Sequence, residues 1–237
     1  MEMPPPAKAR KLRIDLGEAG KVSGIWLRPA SAQACLVLAH GAGAGMTHAS
    51  MGALAEGLAR RNVATLRYQF SYMERGSRRP DRPEVAHTAV RGACLKAASL
   101  APDLPLYAGG KSFGGRMTSQ AQAVQPLLGV RGLVFFAFPL HPSGAPAVKR
   151  AEHLDEVEIP MLFLQGTRDA LADLRLLKSV VTRCGTNTKL VLAPDADHAF
   201  HVPAKSGRSD EQVVASLLDS AAAWMLQMSR AKPRRRK

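Results

Sequence analysis

Apolar residues recur along this chain in two alternating rhythms. Short continuous runs such as Ala34–Ala39, Val63–Tyr68, Leu104–Ala108, Val130–Phe138, Pro160–Gln165 and Thr188–Ala193 have the length and composition of buried strands. Between them lie stretches with helical spacing. Residues 48–60 place Met51, Leu54 and Leu58 on one face, and residues 84–101 do the same with Val90, Ala93, Cys94 and Ala97. Residues 113–123 and 169–183 read as two more helices, the second with Leu174, Leu177 and Val181 in phase and Gly185 as its stop. The last helix opens with Ser209 and Gln212 spaced as a capping box and would bury Val214, Leu217, Leu218, Ala221, Met225 and Met228. An N-terminal hairpin, residues 11–16 and 21–27, turns at Gly17 and Gly20. Strands alternating with helices require a mostly parallel central sheet with right-handed crossovers and helices on both faces, an α/β architecture.

The predicted strand ends carry the chemistry. Leu104–Ala108 leads into Gly110-Lys111-Ser112-Phe113-Gly114, and a helix-compatible stretch follows. Strand, Gly-x-Ser-x-Gly, helix is the form of a nucleophile elbow, a turn so sharp that side chains two residues either side of the serine would clash. Pro160–Gln165 runs into Gly166-Thr167-Arg168-Asp169, and Thr188–Ala193 into Pro194-Asp195-Ala196-Asp197-His198. Serine, acid and histidine thus occur in that order, each just past a predicted strand, where an open parallel sheet collects its functional groups. The expected roles are Ser112 as nucleophile, His198 as base and Asp169 as its orienting acid. Ala34–Ala39 feeds His40-Gly41-Ala42-Gly43-Ala44-Gly45, whose backbone amides could approach an oxyanion. The amides of Phe113 and Ala42 are the candidate donors.

Rival readings are specific. Asp173 lies one helical turn beyond Asp169 and suits the helix surface better. Asp195 and Asp197 are too close in sequence to His198 to orient it, and His201 lies further from the strand end. His198 and His201 lack an evident third ligand for a metal, so neither metal nor organic cofactor is expected.

These motifs resemble the α/β-hydrolases. The match extends to a compact dienelactone-hydrolase-like group that includes bacterial hydrolases, a testis-expressed protein and a subunit of the non-specific lethal chromatin complex. It rests on residues 40–45, 67–76, 110–116 and 165–169 and extends over about residues 10–229. The resemblance implies an α/β-hydrolase fold and an acyl-enzyme mechanism on an ester or thioester. Dienelactone hydrolases carry a nucleophilic cysteine where this chain has Ser112, so that particular activity does not transfer. His40, Gly41, Gly43, Arg67 and Tyr72 become candidate substrate-site residues, with His40 bracing the oxyanion loop rather than acting as a second base. Only residues 141–159 separate two strands where many relatives insert a helical lid, so an open site without a cap domain is expected.

The chain of 237 residues is 46% hydrophobic, enough for one substantial core. A single domain is expected over residues 10–229, with residues 1–9 as a flexible start and 230–237 as a basic, disordered tail. No apolar stretch reaches membrane-spanning length, and the first thirteen residues lack the apolar core of a signal peptide. Cys35, Cys94 and Cys184 have no metal-type spacing, which points to a reducing, cytoplasmic setting. The net charge is +14. Part of it lies in the tail, where weak nucleic-acid contact is the most expected of it, and part in Arg67, Arg75, Arg78, Arg79 and Arg82. The second cluster follows a strand and could attract an anionic small-molecule substrate. A non-catalytic scaffold of the same fold, binding protein or nucleic acid, is the competing class. The joint presence of Ser112, Asp169, His198 and the glycine-rich loop favours the enzyme.

Overall fold

The structure, a computed structural model, describes residues 8–230. The expected flexible start therefore lies almost entirely outside the described residues, as does the basic tail apart from Arg230. Eight strands form one sheet: β1 (Arg10–Asp15), β2 (Lys21–Leu27), β3 (Ala34–Ala39), β4 (Val63–Tyr68), β5 (Leu106–Lys111), β6 (Val130–Phe136), β7 (Met161–Gly166) and β8 (Thr188–Ala193). Their spatial order is β1-β2-β4-β3-β5-β6-β7-β8, with β1 and β2 antiparallel to their neighbours and every other pairing parallel. The helices are α1 (Ala49–Ala59), α2 (Ser71–Glu74), α3 (Pro83–Leu100), α4 (Phe113–Val124), α5 (Leu174–Arg183) and α6 (Asp210–Arg230).

Strand alternation sorts the core into two layers. Cys35, Val37 and Ala39 of β3 face one way, among Val90, Ala93 and Ala97 of α3 and Met117 and Ala121 of α4. Leu36 and Leu38 face the other way, among Met51, Leu54 and Leu58 of α1 and Leu217, Leu218, Ala221 and Met225 of α6. Each layer buries apolar surface at roughly 25 cal/mol per Å², so both faces of the sheet are anchored by helices.

The periodic reading and the structure differ at several points, among them the end of β6 at Phe136 rather than Phe138. β5 starts at Leu106, after Pro105, and runs on through Gly109 and Gly110. α5 begins at Leu174 rather than near Asp169, because the Asp173 carboxylate caps it by accepting from the amides of Arg175 and Leu176. Within α6, Val213 is buried while Val214 and Met228 only flank the core. The capping box forms as the spacing predicts: Gln212 N–H donates to Ser209 Oγ, and Ser209 N–H to Gln212 Oε1.

The chain reverses its direction of build-up at β3, with β4 on one side and β5 on the other. Ala39 pairs with Gly110, which sets the loop after β3 beside the turn after β5. Gly166 pairs with Ala193, which does the same for the loops after β7 and β8. Among the described residues, the segment between β6 and β7 holds only a 3₁₀ stretch, Lys149–Glu156, and no cap domain.

Candidate active site

Ser112 links β5 directly to α4 with φ 51° and ψ −119°, a left-handed backbone that non-glycine residues rarely adopt. Its amide donates to Phe136 O on β6 at 2.9 Å, which ties the turn to the neighbouring strand. Glycine is required two residues to either side. A Cβ on Gly110 would stand 2.4 Å from Ala39 O, and one on Gly114 would stand 2.6 Å from both Ala39 O and His40 O.

A continuous hydrogen-bond series starts at this serine. Ser112 Oγ lies 2.8 Å from His198 Nε2, and His198 Nδ1 lies 2.7 Å from Asp169 Oδ2. The assignment consistent with both contacts has Nδ1–H donating to the carboxylate and Nε2 accepting from the hydroxyl. The Asp169 side chain is fully buried, and it is also held by the Gln165 side-chain amide and by the Leu171 amide at 2.8 Å. The oxygens of this acid are therefore fixed from three directions, which fixes the imidazole ring in turn. The other acids are committed elsewhere: Asp173 to its helix cap, and Asp197 to the amides of Ala199 and His201. His201 pairs with Asp210.

Beside Ser112, the amides of Phe113 and Ala42 make none of the hydrogen bonds found among the described residues. Phe113 is the first residue of α4, where the positive end of the helix dipole adds to its donor strength. Gly41 packs closely enough that a Cβ there would touch Ser112 Cβ at 3.7 Å.

A model of the α/β-hydrolase domain matches residues 32–226. The chain belongs to the α/β-hydrolase family. Among solved structures it is similar to a dienelactone hydrolase from Anabaena variabilis, at 21% identity and a TM-score of 0.74 over 94% of this chain and 98% of that one. It is also similar to an α/β serine hydrolase without a lid from Xanthomonas campestris, at 20% identity and a TM-score of 0.71 over 98% and 99%. A third similar structure is Est1E from Butyrivibrio proteoclasticus with ferulic acid bound, at 17% identity and a TM-score of 0.69 over 92% and 98%.

This α/β-hydrolase has a cavity of about 360 Å³ at the elbow, walled by Ser112, Ala42, Phe113, Arg116, Arg150 and Asp81, among others. Several of the expected substrate-site residues lie elsewhere. His40 is fully buried: its Nδ1 donates to Gly41 O at 2.8 Å and its Nε2 accepts from the Phe70 amide at 3.1 Å. Burial lowers its pKa to about 4, so it is a neutral brace between the loop after β3 and the segment after β4. Arg67 is a correction. Strand alternation places it under α1, buried, with its guanidinium donating to Met46 O at 3.2 Å and absent from the cavity wall. Tyr72 is buried against Phe113 at 6.3 Å between ring centres, behind the wall. Gly41 and Gly43 flank Ala42 without lining the cavity, and Gly43 takes a positive φ of 75° that shapes the loop.

Lys111 was not singled out from sequence. Its Nζ donates to His198 O at 3.2 Å and lies 4.7 Å from the Phe200 ring centre. Burial lowers its pKa, an effect opposed by Asp169 and Asp197. The signal available was its place inside the elbow pentapeptide. No helix of the described residues is long and apolar enough to cross a membrane.

Proposed function

We propose that this protein is a serine hydrolase that cleaves a small ester or thioester through an acyl-enzyme on Ser112. The observation that carries this reading is the unbroken series from Ser112 Oγ through His198 to Asp169, at 2.8 and 2.7 Å, opening onto a cavity. Both contacts lie in the range for proton transfer and ring orientation.

In the first half-reaction Ser112 Oγ attacks the acyl carbon while its proton passes to His198 Nε2. Asp169 stabilises the resulting imidazolium without taking a proton itself. The amides of Phe113 and Ala42 hold the oxyanion, and losing one such donor costs about 3 kcal/mol of transition-state stabilisation. His198 then gives the proton to the departing alcohol or thiol. In the second half-reaction water, deprotonated by His198, attacks the acyl-enzyme, and Ser112 recovers its proton as the acid leaves.

The short connection between β6 and β7 supports an accessible site suited to compact substrates. Cys35, Cys94 and Cys184 are unpaired, which favours a reducing, cytoplasmic setting. The test is a panel of short-chain esters and thioesters assayed with the wild-type protein and with Ser112→Ala. Turnover that vanishes in a folded Ser112→Ala supports the reading; turnover that persists, or no turnover across the panel, overturns it.

A further inference from the structure

The cavity beside Ser112 is also lined by two arginines, Arg116 and Arg150. Arg116 lies one helical turn along α4 from Ser112, and Arg150 comes from the 3₁₀ stretch between β6 and β7. Neither has an acidic partner among the ion pairs of the described residues. Arg116 Nε is buried without a hydrogen-bond partner, and its guanidinium lies 5.8 Å from the Phe113 ring centre. Burial lowers the Arg116 pKa, and the like charge of Arg150 lowers it further.

The remaining ionisable groups around this wall do not cancel these charges. Asp81 also lines the cavity: one of its oxygens accepts from the Arg75 guanidinium at 2.6 Å and the other is buried without a hydrogen-bond partner, so this single carboxylate, already shared with Arg75, faces two further guanidinium groups. His153 bonds to Ser119 at 2.7 Å, and burial together with Arg116 lowers its pKa to about 4, so it is neutral at pH 7. His87 nearby is likewise shifted down by burial. Two like charges held side by side, one with a desolvated and unsatisfied donor, are unfavourable unless something of opposite charge joins them.

We propose that Arg116 and Arg150 form a carboxylate-binding wall, so that the substrates are small esters or thioesters bearing a second, free carboxylate. The substrate class rests on the hydrolase reading above, whereas the binding wall itself does not. Planar guanidinium donors match the two oxygens of a carboxylate, and the cavity volume suits a compact molecule of this kind. The selectivity is thus assigned to the cavity wall and not to Arg75, Arg78, Arg79 and Arg82, which are exposed on the loop after β4.

The test compares mono(4-nitrophenyl) glutarate with 4-nitrophenyl pentanoate, two esters of equal acyl length. The anionic ester should be preferred about tenfold or more in kcat/KM. Arg116→Gln and Arg150→Gln should each cut that preference severalfold, through a higher KM for the anionic ester, whereas Arg78→Gln with Arg79→Gln should leave the preference intact. Equal rates for the two esters in the wild type, or a preference retained in the Arg116→Gln/Arg150→Gln double variant, would overturn the proposal. If no ester is turned over, the hydrolase reading fails and the wall is tested by binding alone. In Ser112→Ala, titration with monomethyl glutarate should shift the Arg116 side-chain Nε–H resonance, and dimethyl glutarate should not. A resonance unmoved by the monoanion would overturn the proposal irrespective of catalysis.

Discussion

Acidification should destabilise this protein in part through the buried His40. His40 has no exposed surface and is held in a single tautomer, with Nδ1–H donating to Gly41 O and Nε2 accepting from the Phe70 amide. A second proton on Nε2 would face the Phe70 N–H, so protonation both buries a charge and breaks that bond. The pKa falls from 6.5 to about 4 because burial disfavours the charged ring. The unfolded chain therefore binds the proton first as pH drops. The stability that neutral His40 contributes is fully present above pH 6.5, falls as pH drops from there towards 4, and then levels off. The loss is about 2 kcal/mol by pH 5 and about 3 kcal/mol when complete. Urea unfolding at pH 7.5, 6 and 5 measures it. His40→Gln should be less stable at pH 7.5 yet lose about 2 kcal/mol less than the wild type on going to pH 5. In parallel, the imidazole carbon resonances of His40 in the folded wild type should not titrate above pH 5. Parallel pH dependence for the two proteins, or titration of His40 near pH 6.5, would refute the reasoning.

The same geometry yields further expectations. Gly114→Ala forces a Cβ to 2.6 Å from two backbone carbonyl oxygens, so it should destabilise the fold by about 3 kcal/mol in urea unfolding and displace the elbow. Asp169→Asn should keep the fold, by circular dichroism, yet reduce kcat by about 10⁴, because the histidine tautomer would be wrong. Truncation after Ser229 keeps the Tyr107–Ser229 contact and should leave ester hydrolysis and Tm unchanged, while any nucleic-acid binding of the full chain weakens.

Much of this molecule was legible in its sequence because its signals are local. Every predicted strand exists, and the elbow, the acid and the histidine fall at the ends of β5, β7 and β8 in the order read from the chain. The misreadings arise where the deciding contact is distant. β5 runs on through Gly109 and Gly110, where a side chain would strike a neighbouring strand, a requirement that no propensity reveals. Arg67, read as a strand residue, was grouped with the arginines that follow the strand, but alternation turns it under α1 and away from the cavity. Arg116 and Arg150 come together only because α4 packs against the 3₁₀ stretch, so their shared wall left no trace in either local segment.

The central claim is that Ser112 Oγ forms the covalent intermediate, and trapping that species tests it most directly. The protein would be treated with a fluorophosphonate, or mixed rapidly with an activated ester and quenched in acid, and the adduct located by peptide mass spectrometry. One adduct per chain is expected, on the peptide carrying Ser112, and none on a folded Ser112→Ala protein. An adduct on any other residue, or labelling that persists in Ser112→Ala, would contradict that claim.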